Sequence, residues 1–333
     1  MAPQSATRDI IAIGGSLGGV EALRELAKGL PTGLPAAIFV VLHVGRQRSR
    51  LAELLNGAGP LPAKVAEGGE HIERGRIYVA QPDRHLLLHD GHILVSRGPH
   101  ENMWRPAIDP LFRSAACSYG ARVVGVVLSG LLDDGAAGLD AIKRCGGTAV
   151  IQDPADAAAP DMPRTAQRLV SVDHVAPIAA MAPLLARLAA SPAGRQPAIP
   201  EHICVEAAIA AQERGSMRTQ DQLGQLSPFS CPECGGTLWE VAEGRLLRYR
   251  CHVGHAYTAE SMLAAQSDAT DALLNRLLRS YRERAELTRR LAVKELARQQ
   301  SDLARELDSR AQGYDEDAAL MERLLAERGD NSA

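Results

Sequence analysis

The stretch that decides the fold is IIAIGGSLGGVEALREL, residues 10–26. Four apolar residues, Ile10 to Ile13, run into Gly14-Gly15-Ser16-Leu17-Gly18-Gly19, and an amphipathic helical pattern follows at once. A strand feeding a helix through so many glycines predicts an α/β unit with Ser16 at the helix N-terminus. There, free backbone N–H groups and the positive end of the helix dipole face whatever binds. The Gly14-x-Ser16-x-Gly18 spacing also fits a nucleophile elbow, in which glycines permit the tight turn that lifts a serine hydroxyl out of a sheet. Two plainer readings stand beside it, a phosphate-binding turn and a purely structural one. A dinucleotide site fits poorly, since Ser16 takes the place of the middle glycine of G-x-G-x-x-G and residues 34–38 offer no acid for a ribose.

Outward from this turn, β-branched apolar runs alternate with helical patterns to about residue 190. Strands are predicted at Ile10–Ile13, Ala37–Leu42, Arg76–Ala80, Val123–Leu128 and Thr148–Gln152, with a hairpin of Leu86–Leu88 and Ile93–Ser96 around Asp90-Gly91. Helices are predicted over roughly 19–29, 48–56, 109–118, 135–145 and 177–190. Continuous apolar strands separated by helices imply a doubly wound, mostly parallel sheet covered on both faces. Sites in such sheets lie at the carboxyl ends of the strands. His43 ends the run AAIFVVL, and Asp133 and Asp134 follow VVGVVLSGLL, so both fall where Ser16 falls. A nucleophile, a base and an orienting carboxylate could therefore converge there. Taken singly, His43 reads as a satisfied structural histidine and either aspartate as a helix-capping acid.

With 333 residues the chain has room for an α/β domain and something smaller. A net charge of −3 with 23% charged residues gives no basic field for nucleic acid. The opening MAPQSATRDI lacks the features of a targeting peptide, and no apolar run approaches the roughly 20 residues needed to span a bilayer. Six cysteines do not read as a disulfide framework in a chain of this size. The expectation is a soluble cytoplasmic protein with neither nucleic-acid binding nor membrane insertion.

The second half changes character. SPAGRQPAIP (191–200) reads as a linker and is followed by a helix at about 201–215. Residues 228–258 read PFSCPECGGTLWEVAEGRLLRYRCHVGHAYT. Cys231-x2-Cys234-Gly-Gly has the form of a zinc knuckle, and Cys251 follows at zinc-ribbon spacing. TLWEV and LLRYR flank Glu243-Gly244 as a hairpin. The fourth ligand is His252 or His255; His255 is preferred, because Cys251-x3-His255 can turn both ligands onto one site. Four protein ligands would close the shell of a structural Zn²⁺, with reduced, metal-free cysteines as the plainer reading. Residues 260–328 are polar and helix-prone, with Leu274, Leu278, Tyr281 and Ala285 on one stripe, which predicts a helical hairpin or a partner-binding coiled coil. The expected division is a catalytic domain over 1–193, linker and helix over 194–227, a zinc-ribbon-like module over 228–258 and a helical tail over 259–328.

The order Ser16…His43…Asp134 departs from the Ser…Asp/Glu…His order of α/β-hydrolases. Here the strings IGGSLGG, VVLHV, PDRHLLL, RPAIDPLFRSAA, LSGLLDDGAAGL, GGTAVIQDP and MPRTA, in this order over about residues 8–190, resemble the catalytic domain of chemotaxis receptor methylesterases. The resemblance implies that Ser16 is the nucleophile, His43 the base and Asp134 the orienting acid, with Asp133 at a variable position. It implies hydrolysis of glutamate methyl esters, with glutamine deamidation open to the same machinery, on a methylated receptor or another signalling protein. No cofactor is needed for that chemistry. The backbone N–H groups of Leu17 and Leu131 are the candidate oxyanion donors. Leu17 stands where the family has threonine, and Ser129-Gly130-Leu131-Leu132 where it has Thr-Gly-Met-Gly. No receiver domain precedes residue 8, so regulation is expected by another route. The rival readings are a non-catalytic signalling adaptor and an esterase acting on a small molecule. Arg105 reads as a helix entry or a contact for an acidic substrate, His85 as structural, and Cys117 and Cys145 as small core residues.

Overall fold

Short runs rich in Ile, Val and Leu become fully buried strands wherever helices cover both their faces. The computed structural model describes residues 7–43, 49–212, 224–243 and 246–330. Its main sheet comprises β1 (Ile10–Gly15), β2 (Ala37–Leu42), β3 (Ala63–Val65), β4 (Ile77–Val79), β7 (Val123–Val127), β8 (Thr148–Gln152) and β9 (His174–Ala176). They lie in the order β3-β4-β2-β1-β7-β8-β9, and every pair is parallel. β5 (His85–His89) and β6 (His92–Ser96) form a separate hairpin.

Alternate side chains of β1 supply two cores. Ile11 and Ile13 pack with α1 (Gly19–Gly29), α2 (Leu51–Ala58) and α6 (Ile178–Ala190), while Ile10 and Ala12 share a core with α3 (Ile108–Tyr119), α4 (Ala136–Arg144) and α5 (Asp161–Leu169). Strand β1 is the switch point: α1 returns over one face to β2, whereas α4 leaves β7 over the other. Such a point opens a crevice at the carboxyl ends of its strands.

Three elements of this layer lie outside the sequence expectation. β3 and β9 are three-residue strands at the two edges, too short for a periodic signal. Helix α5 carries Pro163 in its first turn, where a missing N–H costs no intrahelical bond. Cys117, expected as a lone core residue, is instead disulfide-bonded to Cys204, which ties α3 to α7 (Glu201–Ala210). Cys145 is buried and free.

The cysteine-rich segment forms a four-stranded antiparallel ribbon, β10 (Gln225–Ser230), β11 (Thr237–Glu243), β12 (Leu246–Cys251) and β13 (Ala256–Thr258). It belongs to the same compact unit as the main sheet, Met1–Met262. The second unit, Leu263–Ala333, is an antiparallel hairpin of α8 (Ala259–Ala297) and α9 (Ser301–Asp330). Buried alanines at 285 and 292 on one helix and at 304, 311 and 318 on the other recur at heptad spacing, letting the backbones approach closely. Arg289 pairs with Asp315, and Arg328 with Asp271 at 2.5 Å, across the hairpin. Among the described residues no helix is long and apolar enough to cross a membrane.

Candidate active site

The register of the sheet sets the first two side chains together. Gly15 pairs with Leu42, and the His43 N–H donates to the Gly15 carbonyl at 3.2 Å. Ser16 and His43 therefore leave adjacent strands side by side, their backbones about 5 Å apart. On the other flank, the Ser16 N–H donates to the Ser129 carbonyl at 2.9 Å, which fixes the turn against the end of β7. Ser129 Oγ donates to the Leu17 carbonyl at 2.7 Å and accepts from the Ala159 N–H at 2.8 Å. Gly18 turns the chain at φ +77°, and a Cβ there would lie 2.8 Å from Ser129 Oγ. Gly130 is needed for a different reason, since its Cβ would lie 2.9 Å from Ser16 Cβ and strike Met162 Sδ of α5. The acidic loop thus runs directly over the serine.

His43 Nε2 and Asp134 Oδ2 are 2.7 Å apart, and their side chains are 2% and 3% exposed. A carboxylate facing Nε2 keeps the proton there and leaves Nδ1 as the nitrogen able to act as a base. Asp134 also accepts from the Ile108 N–H at 2.7 Å, at the start of α3, and from Asn102 Nδ2 at 2.8 Å. Burial alone would raise the Asp134 pKa. The bond and charge of His43, with the Ile108 amide and Asn102, outweigh it and hold the carboxyl below its ordinary range. Asn102 Nδ2 donates also to Asp109 Oδ2 at 2.9 Å. Burial and the Asp134 charge push Asp109 up to about 7. Two neighbouring carboxyls are thereby driven apart in acidity. The Trp104 ring lies over the His43 imidazole.

Among the described residues the Leu17 and Leu131 N–H groups donate to no backbone acceptor, and the two side chains are 59% and 50% exposed at the rim. Asp133 is buried, and its Oδ1 has no hydrogen-bond partner among the described residues. Arg105 is engaged by Asp83 Oδ1 at 2.8 Å and by the Gly98 carbonyl at 2.9 Å. His85 is fully buried, facing the Pro99 carbonyl at 2.8 Å and the Ala107 N–H, and burial lowers its pKa. A cavity of about 430 Å³ opens beside the acidic loop, lined by Leu132, Asp161, Arg164, Thr165, Arg168 and Glu260. Sequence reasoning missed Asn102 and Trp104. The signal available was ENMW immediately before the Arg105-Pro106 string.

A second cluster lies in the ribbon, where the ligand atoms of Cys231, Cys234, Cys251 and His255 all fall within 4.8 Å of one another. Cys234 and Cys251 Sγ are 3.7 Å apart, and His255 Nδ1 lies 3.5 Å from Cys251 Sγ and 3.7 Å from Cys231 Sγ. A tetrahedral zinc with ordinary bond lengths requires S–S and S–N separations of about 3.8 and 3.6 Å. Hydrogen bonding from Cys251 holds the Cys231 thiol down to about 3, and that same bond pushes Cys251 far up. Adjacent thiols cannot all ionise without a cation. His255 Nε2 faces Glu233 Oε1 at 3.1 Å, the carboxylate contact that orients a metal-bound imidazole. His252 is exposed and packs over Gly236.

Residues 11–185 match the family model described as CheB methylesterase. A protein-glutamate methylesterase/protein-glutamine glutaminase of Anaeromyxobacter dehalogenans is 41% identical over 179 residues, 53% of this chain and 52% of that protein. A putative protein-glutamate methylesterase/protein-glutamine glutaminase of Leptospira interrogans is 40% identical over 182 residues, 54% of this chain and 94% of that protein. The crystal structure of the Thermotoga maritima CheB methylesterase catalytic domain aligns with a TM-score of 0.53 and 30% identity, covering 55% of this chain and 100% of that one. The chain thus spans about half the length of several curated relatives that it matches.

Proposed function

The chain belongs to the CheB methylesterase family, and from that premise we propose that it hydrolyses methyl esters of glutamate side chains in a signalling protein. Ser16 is the nucleophile, His43 the general base and Asp134 the acid that orients it. The observation that carries this reading is the 2.7 Å bond between His43 and Asp134 next to the turn that presents Ser16. His43 Nδ1 takes the Ser16 proton as Oγ attacks the ester carbonyl. The N–H groups of Leu17 and Leu131 receive the oxyanion. Collapse expels methoxide, which leaves as methanol with the proton held by His43, and water then hydrolyses the acyl-enzyme with His43 again as base. Glutamine deamidation follows the same path with ammonia as leaving group.

A protein substrate is favoured over a small ester by the rim. Leu17 and Leu131 offer exposed apolar edges beside the serine, and the neighbouring cavity has mixed charge, with Arg164, Asp161 and the Arg168–Glu260 pair at 2.6 Å. An open, apolar rim of this kind suits a partner helix bearing the modified glutamate, as in the cytoplasmic part of a methylated receptor, and a cytoplasmic enzyme goes with it. The adaptor reading has no use for a buried, hydrogen-bonded His43–Asp134 pair.

The ribbon cluster is assigned a structural Zn²⁺ held by Cys231, Cys234, Cys251 and His255; the near-tetrahedral spacing of their ligand atoms supports the assignment. With no open position it supplies folding energy and offers no coordination site to the ester or to water.

The test is methanol release from a methylated chemoreceptor cytoplasmic fragment. The full chain is expected to release methanol and Ser16→Ala to fall by at least about a thousandfold. No release by the unaltered chain would overturn the substrate assignment.

A further inference from the structure

The four-residue turn Glu101–Trp104 touches the candidate triad on one side and the ribbon on the other. Toward the triad, Asn102 Nδ2 donates to Asp134 Oδ1 at 2.8 Å and Trp104 stacks on His43 at 4.5 Å between ring centroids. Toward the ribbon, the Asn102 N–H donates to the Ala256 carbonyl at 2.8 Å, and the Ala256 N–H to the His100 carbonyl at 3.2 Å. Asn102 Oδ1 accepts from the Thr258 N–H and from Ser261 Oγ, both at 3.1 Å. The orientation of this carboxamide is therefore imposed, with its oxygen facing two donors and its nitrogen two carboxylates.

The turn needs support from outside. Asn102 and Met103 sit at φ +49° and +71°, a region that L side chains rarely occupy. Support comes from the segment that bears the metal ligands. The Cys251 N–H donates to the His255 carbonyl at 2.9 Å, closing the loop that delivers Ala256 to Asn102. Glu233 bridges His255 to His100, at 3.1 and 2.6 Å. Glu101 itself lies in a buried charge cluster with Arg113 of α3 and Arg250 of β12, and Glu206 of α7 completes it with Arg248 and Arg250. The arginines outweigh the effect of burial and hold both glutamates below their ordinary range.

We propose that the ribbon is a metal-dependent positioning device for the triad: zinc at Cys231, Cys234, Cys251 and His255 fixes the Glu101–Trp104 turn, and Asn102 passes that order to Asp134 and so to Ser16. The inference rests on the serine-hydrolase reading. Asn102 is a positioning residue, acting on the reaction only through Asp134.

The experiment uses the full chain and a fluorophosphonate probe, which needs no knowledge of the substrate. Ser16 Oγ attacks phosphorus, fluoride leaves and His43 takes the proton. Labelling rates are measured for zinc-loaded and chelator-stripped protein, with metal content by mass spectrometry and folding by circular dichroism. Zinc-loaded protein is expected to label about tenfold faster or more than stripped protein, and Asn102→Ala to label slowly in both states. In Asn102→Ala the acid limb of the rate against pH should move to higher pH, because an Asp134 carboxylate short of one donor holds a proton more tightly. A zinc effect of unchanged size in Asn102→Ala, or equal rates for loaded and stripped protein, overturns the coupling. Should stripping unfold the chain, Ser261→Ala with one zinc per chain decides: slower labelling supports the coupling, and the unaltered rate overturns it. Absence of Ser16 labelling in the zinc-loaded chain would instead sink the hydrolase reading beneath it.

Discussion

Trp104 lies flat on His43, with ring centroids 4.5 Å apart and planes 6° from parallel. An imidazole bonded to Asp134 at one nitrogen can still pivot about that bond, and the indole face removes this freedom. Trp104→Leu is therefore expected to lower kcat about tenfold with KM little changed, because the loss is one of alignment. Trp104→Phe, which keeps a flat face, should recover most of it. Steady-state kinetics on a methylated receptor fragment check both; a change confined to KM would assign Trp104 to substrate binding instead.

The strand ends that carry Ser16, His43 and Asp134 were legible because each follows a continuous apolar run, and in a parallel sheet such runs end on one side. The clustering of Cys231, Cys234, Cys251 and His255 was legible because the spacing of the cysteines is local. Asn102 was not, since its partners come from residues 109, 134, 258 and 261, and no short-range pattern marks a carboxamide that bridges them. The charge cluster was hidden for the same reason: Arg250 and Glu101 are 149 residues apart. In the sequence, Arg248 and Arg250 alternate with Leu247 and Tyr249 as any half-exposed strand would, and only the docking of the ribbon buries them. The Cys117–Cys204 bond likewise joins two helices that are far apart in the chain.

Burial pushes the Asp133 carboxyl up to about 7 from an ordinary value of 3.8, with the charges of Glu260 and Asp134 adding to it against a hydrogen bond from Thr258. A pKa raised by folding means that the stabilisation is full below the unfolded value and is lost as pH rises through about 7. Asp133→Asn mimics the protonated form at every pH. Its stability advantage over the unaltered chain should grow by on the order of 2 kcal/mol between about pH 5.5 and 8.5. Denaturant unfolding at the two pH values measures this, and a pH-independent difference would mean that Asp133 is ionised in the fold.

The Cys117–Cys204 bridge closes a loop of 87 residues between α3 and α7. In the chain-entropy account a loop of that size stabilises by up to about 4.6 kcal/mol. Cys204→Ser should thus melt several degrees lower than the unaltered chain under oxidising conditions, and the two should melt alike in the presence of a thiol reductant. Peptide mapping without reduction checks the pairing itself. Equal melting temperatures under both conditions would show that the bridge contributes nothing.

The proposed zinc assignment makes a prediction that separates two histidines three residues apart. His255 offers Nδ1 to the thiolates and Nε2 to Glu233, whereas His252 is exposed over Gly236. The full chain should bind one zinc, His252→Ala should keep it, and His255→Ala should lose it or bind far more weakly. Glu233→Gln retains all four ligands and removes only the carboxylate behind the imidazole, which should weaken zinc affinity about 10- to 100-fold. Competition with a chromophoric chelator reads all four proteins in one assay. Retention of zinc by His255→Ala at unaltered affinity, with loss in His252→Ala, would reassign the fourth ligand and remove the path from the metal through residue 255 to Ala256 and Asn102.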